Sequence, residues 1–162
     1  MNSSYKKGFS LIETIVYIAV FSVLSIIVIN SYAIIVGSFS NIRSTHDLLE
    51  SGNVAMERMT REINKADSID IVNSTFGSDL GVLQLNGDQV TKFYVSNGDL
   101  FLSYDDVLVG SLISNNTQVA NLIFRRITTL IGEGVKIELT IQDIKNQRSE
   151  NFYNTIILRS SY

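Results

Sequence analysis

Between Glu13 and Arg43 the chain carries 29 consecutive residues without a charge, the densest part being Ile15-Val-Tyr-Ile-Ala-Val-Phe-Ser-Val-Leu-Ser-Ile-Ile-Val-Ile29. A helix needs about 20 predominantly apolar residues to cross a bilayer, so this stretch is long enough to do so. Lys6 and Lys7 precede it and the next basic residue is Arg43. The excess of basic residues on the short N-terminal side predicts an N-terminus in the cytoplasm and the remainder of the chain outside. A secretory signal peptide has an apolar region of about 7 to 15 residues and ends at small residues of A-x-A type. This run is longer and lacks such a site, which argues for a retained anchor.

The helical pattern continues past the membrane edge. Ile35, Ile42, Leu49, Met56 and Ile63 recur every seven residues, with Phe39, Met59 and Ala66 between them, and such a stripe forms one helical face. Gly37 and Gly52 interrupt it. Glu57 and Arg61 stand four apart in the order that adds a few tenths of a kcal/mol on a solvated face. A helix from Phe9 to about Ala66 would run roughly 87 Å at 1.5 Å per residue. A domain of this size cannot bury such a rod, so its front half must be covered by lipid or by other helices.

After Asp67 the pattern changes from helical to extended. Gln89–Val95, Asn97-Gly98 and Asp99–Tyr104 read as a hairpin closed by a two-residue turn. Val135, Ile137, Leu139 and Ile141 alternate with Lys136, Glu138, Thr140 and Gln142, the signature of a half-buried strand. Val119–Ile127 reads as a further strand, 154–159 as a closing strand, and Ser68–Leu80 as a loop. The expected fold is α+β: a long N-terminal helix, its first half transmembrane, packed by its second half on a small C-terminal antiparallel sheet. Leu49, Met56 and Ile63 are expected to meet that sheet.

Composition narrows the function. The chain has 162 residues, 18% of them charged, with a mean hydropathy of +0.19. It has no cysteine, which removes disulfides, thiol catalysis and cysteine-based zinc sites. A net charge of −3 and a pI near 5.1 argue against nucleic acid as the main partner. His46 is the only histidine, lies on a polar stretch of helix and reads as a surface residue, since metal sites need several ligands. Asp105-Asp106 with Asp99 lacks the spacing of a calcium loop and reads as an acidic turn. Gly132-Glu-Gly134 lacks the spacing and the following Lys-Ser/Thr of a phosphate loop. Without a Ser/His/Asp grouping, no enzyme is expected, and neither cofactor nor metal.

The segment Lys6-Lys-Gly-Phe-Ser-Leu-Ile-Glu-Thr-Ile-Val16 resembles the N-terminus of type IV pilins and type II secretion pseudopilins. The resemblance implies that a prepilin peptidase cuts between Gly8 and Phe9 and that the new N-terminal Phe9 is methylated. It also implies a removed leader at 1–8, a transmembrane and assembly helix at 9–36, and an extracytoplasmic pilin-like domain at 37–162. Within that domain the helix would cover 37–66 and the sheet about 80–162. The implied partners are the peptidase, other pilin or pseudopilin subunits, an assembly-platform membrane protein and membrane lipid. The implied location is the cytoplasmic membrane, single-pass, and then the filament.

Two departures bear on the kind of subunit. Many major pilins carry a proline in the apolar helix, where this chain has Asn30, and a C-terminal disulfide, which cannot form here. Both point to a minor subunit. Met56–Ala66 and Thr155–Arg159 are similar to the post-membrane helix and final strand of J-type minor pseudopilins and related minor pilins. A major pilin and a signal-anchored extracytoplasmic binding module are the alternatives, and a simple anchor needs neither Gly8-Phe9 nor Glu13.

Glu13 is the residue that the physics singles out. An ionisable group within a membrane segment is expensive and by default functional. On the resemblance, the α-amine created on Phe9 by cleavage supplies the countercharge that a neighbouring subunit's Glu13 pairs. The plainer reading is a glutamate near the end of the span that snorkels into water. Gly8 lets a protease approach the backbone closely, because it has no β-carbon. Lys6 and Lys7 serve as cytoplasmic anchors. Tyr17 and Tyr32 are either interfacial aromatics or packing residues.

Overall fold

The computed structural model of the chain describes residues 10–129 and 132–158, without the side chains of Ser40, Asn41 and Thr129. Among the described residues one helix, α1 (Leu11–Lys65, 55 residues), precedes eight strands. The chain divides into two units, one ending at Ile42 and the other beginning at Arg43.

In the first unit α1 is uninterrupted through Asn30, and its large apolar side chains stand uncovered. Leu11 is 78% exposed, Phe21 72% and Tyr32 69%. β-Branched residues are poor helix formers in water, but a helix satisfies all its backbone groups internally, which is what a bilayer demands. Ser22, Ser25, Ser31 and Ser38 follow the same rule: each hydroxyl donates to the carbonyl four residues back, at 2.8 to 2.9 Å.

The second unit begins with the remainder of α1, which buries a narrow face. Ser44, Leu48, Ser51, Gly52, Ala55, Met59, Glu62, Ile63 and Ala66 are buried, at spacings of three, four and one. Leu49 is 44% exposed and Met56 only half-buried, so of the three residues expected to meet the sheet, Ile63 alone is fully inside. The cause is geometric. A straight helix drifts about 20° per heptad, so a seven-residue stripe that lies at the edge of the buried face at Ile63 has turned away from it by Leu49. Ile35, Phe39 and Ile42 are all more than half exposed.

Two antiparallel sheets follow, where a single sheet was expected. The first has the order β1 (Ser68–Ile69), β2 (Leu83–Asn86), β3 (Thr91–Ser96), β4 (Asp99–Tyr104), β5 (Val107–Ser111). The second has the order β6 (Thr117–Thr129), β7 (Gly132–Asp143), β8 (Ser149–Ile157). The hairpin β3–β4 is in the register its sequence predicts, Ser96 opposite Asp99. Asn97 and Gly98 both have positive φ (52° and 85°), the requirement of a type I′ turn. Asp105 and Asp106 (φ 48° and 63°) make the β4–β5 turn in the same way. The segment from Ser68 to Leu80 is not all loop, because Ser68 and Ile69 pair with Asn86 and Leu85.

Val135, Ile137, Leu139 and Ile141 of β7 face the core, as their alternation predicts. They join Leu122 and Phe124 of β6 and, from the first sheet, Leu83, Leu85, Phe93, Leu100 and Leu102 in one cluster with the buried face of α1. The 74–82 loop closes the free edge of β6: Gly77 and Gly81 donate backbone hydrogen bonds to Phe124 and Leu122 at 2.9 and 2.8 Å.

Candidate functional site

Of the residues singled out from the sequence, Lys6, Lys7, Gly8 and Phe9 lie outside the described residues, and Glu13 is within them. Glu13 sits in the first turn of α1, where a carboxylate interacts favourably with the positive end of the helix dipole. Ser10 opens the helix, its carbonyl accepting from the Thr14 amide (3.2 Å) and the Thr14 hydroxyl (3.4 Å). One turn further on, the Tyr17 hydroxyl donates to Glu13 Oε1 at 3.3 Å. Tyr17 is a residue whose role the sequence left open. The signal was present as the four-residue spacing, which brings two side chains onto one helix face. Leu11, Ile12, Ile15, Val16 and Ile18 stand uncovered around this pair. The carboxylate therefore lies in an apolar strip with a local donor and within reach of anything that packs along the helix.

The other candidates are structural. His46 pairs with Glu50 on the exposed side of α1 (3.5 Å). Asp105 ties its turn to the start of β3, accepting from the Val90 amide at 2.9 Å, and Asp99 begins β4. Among the described residues no group of three or more His, Cys, Asp or Glu side chains converges on a point. Gly132 and Gly134 belong to β7; a β-carbon on Gly134 would lie 2.8 Å from the Ile156 carbonyl oxygen, a close strand approach. Glu57 and Arg61 pair at 2.8 Å on the solvated face, as their spacing predicts.

Glu62, like Asp143, is a buried charge that periodicity did not reveal. It is 7% exposed, with Arg58 Nε at 3.4 Å and Lys65 Nζ at 4.0 Å from Oε1. It borders a cavity of about 200 Å³ with Leu85, Thr91 and Tyr104. Its Oε1 is buried and accepts no hydrogen bond, so the carboxylate acts as the countercharge of Arg58.

The model for the prokaryotic N-terminal methylation motif matches residues 3–29. No curated protein and no solved structure matches the chain. The match covers Gly8, Phe9 and Glu13 and ends inside the uncovered part of α1. That helix is the one element among the described residues long and apolar enough to cross a membrane.

Proposed function

We propose that this chain is a pilin-like subunit of a type IV pilus or type II secretion-like filament. It is made as a membrane precursor and assembled through its N-terminal helix. The observation that carries this reading is the methylation motif at 3–29, which overlaps a helix whose apolar side chains stand uncovered among the described residues. On this reading residues 1–8 are a leader, 9–36 the membrane and assembly helix, and 37–162 the extracytoplasmic domain. Lys6 and Lys7 hold the leader on the cytoplasmic side, and prepilin peptidase cuts between Gly8 and Phe9. Methylation then falls on the Phe9 amine. The partners are that peptidase, neighbouring subunits, an assembly-platform membrane protein and lipid.

The chemistry of assembly follows from charge. A carboxylate in an apolar segment is tolerated near the membrane surface and becomes costly once the helix enters a bundle of apolar helices. The Phe9 amine of a neighbour supplies the opposite charge there. Removing one partner of such a pair leaves the other buried without compensation, typically at 3 to 5 kcal/mol. Tyr17, already donating to Glu13, holds the carboxylate on one side of the helix.

Glu13→Gln tests this pairing because it keeps the shape and removes the charge. The expected result is complete leader cleavage and normal membrane level, with incorporation into filaments reduced at least tenfold. Wild-type incorporation of the variant, with cleavage complete, overturns the pairing. A minor subunit fits the lack of proline and cysteine. Its abundance decides: a minority species in purified filaments is expected, and a filament built mostly of this chain contradicts it.

A further inference from the structure

The part of α1 that packs in the second unit is held by two different chemistries along its length. Residues 55–66 are held by apolar burial: Ala55, Met59, Ile63 and Ala66 are all inside. Arg58 Nη2 adds a hydrogen bond to the Tyr104 hydroxyl (2.8 Å), and Asn154 Nδ2 adds one to Thr60 Oγ1 (3.0 Å). Residues 44–52 bury Ser44, Ser51 and Gly52, with Leu48 as their one large fully buried apolar side chain. Apart from Leu48 and the ring of Phe152 over Gly52, their ties are polar. The Ser44 hydroxyl donates to Asp143 Oδ2 at 2.5 Å, and Ser51 Oγ receives the Ser114 amide (3.2 Å) and the Thr117 hydroxyl (3.3 Å). Asp143 organises the turn after β7, its Oδ1 accepting from the Lys145 and Asn146 amides at 2.7 and 2.8 Å.

We infer that residues 44–52 of α1, together with the turn at 144–148, form a clasp that opens as a unit while residues 55–65 stay seated. Polar ties are exchanged for bonds to water at small net loss, whereas buried apolar surface is not. Segments with few buried apolar contacts supply the units that open below the global unfolding free energy. Gly52 marks the boundary: it is the weakest helix former in the packed part of α1. The opening itself does not depend on the filament reading. In a filament, a pull transmitted along α1 from its apolar half would reach Ser44 first, so the clasp is the part of the domain that yields first.

Hydrogen exchange of the full chain in detergent micelles, read by mass spectrometry, tests this. Amides at 45–52 and 144–148 are expected to exchange at least about tenfold faster than those at 56–65. Ser44→Ala is expected to speed the first two segments about fivefold, the factor that one hydrogen bond is worth, and to leave 56–65 unchanged. Ser51→Ala gives a second, independent reading of the 45–52 segment, and an unchanged near-ultraviolet spectrum shows that each variant is folded. Equal exchange in 45–52 and 56–65 overturns the inference. So does either variant accelerating both helix segments together, or accelerating neither.

Discussion

The aromatic ring of Phe152 occupies the space that a β-carbon on Gly52 would need, its Cζ lying 2.0 Å from that position. This contact joins α1 to β8 and explains why a glycine sits on the buried face of the helix. Gly52→Ala would by propensity gain about 1 kcal/mol. The ring must move to admit the methyl group, and overpacking of this kind costs about 1 to 3 kcal/mol. A net loss of stability is expected in thermal unfolding of the full chain in detergent, recovered in part by adding Phe152→Leu. The same change at Gly37, which has no atom within 4 Å, is expected to stabilise the helix or leave it unchanged.

Asp143 makes the domain sensitive to acid. The Ser44 hydroxyl, and then the Asn146 and Lys145 amides, hold its carboxyl below the ordinary 3.8, against the opposing effect of burial. The unfolded chain therefore binds the proton first as pH falls. The contribution of Asp143 is fully present above about 3.8 and is lost as pH drops through the lower, folded value. Ser44→Ala is expected to bring the Asp143 titration, followed by carboxyl NMR shifts, back up toward 3.8. An unchanged titration contradicts the assignment.

Tyr104 responds at the other end of the pH scale. Burial raises its pKa above 10.0, and the hydrogen bond and charge of Glu62 raise it further, with Arg58 opposing. The folded chain thus holds the phenol proton longer than the unfolded chain, and stability falls as pH rises through the folded value. Glu62→Gln is expected to lower the Tyr104 titration toward its ordinary value. The difference in phenolate absorbance between each background and its Tyr104→Phe counterpart measures it. No movement would show that Glu62 does not reach Tyr104.

The elements legible in the sequence are those with strong local signals. Asn97-Gly98 between two extended runs placed the β3–β4 turn, and the alternation from Val135 to Gln142 placed β7 and its buried face. β5 was not legible because Val107, Leu108 and Val109 are all exposed at a sheet edge, so no alternation marks the strand. The heptad stripe misplaced Leu49 and set Met56 at the margin of the core because the packed face of α1 is built partly from Ser44, Ser51 and Gly52, which hydrophobic periodicity does not count. Glu62 escaped for a related reason: its burial depends on Arg58 and on strands distant in sequence. At the candidate site, Glu13 stood out as one carboxylate before a long uncharged run, and the surrounding Lys6-Lys-Gly-Phe motif, rather than its charge alone, favoured a paired over a snorkelling side chain. Its contact with Tyr17 needed the helix to be in place.

If the chain is a processed filament subunit, its processing shows in the intact mass of the chain extracted from membranes that contain prepilin peptidase. The expected chain begins at Phe9, lighter by residues 1–8 and heavier by one methyl group on the Phe9 amine, with the full-length precursor when the peptidase is absent. A chain that still begins at Met1 in the presence of active peptidase would contradict that reading.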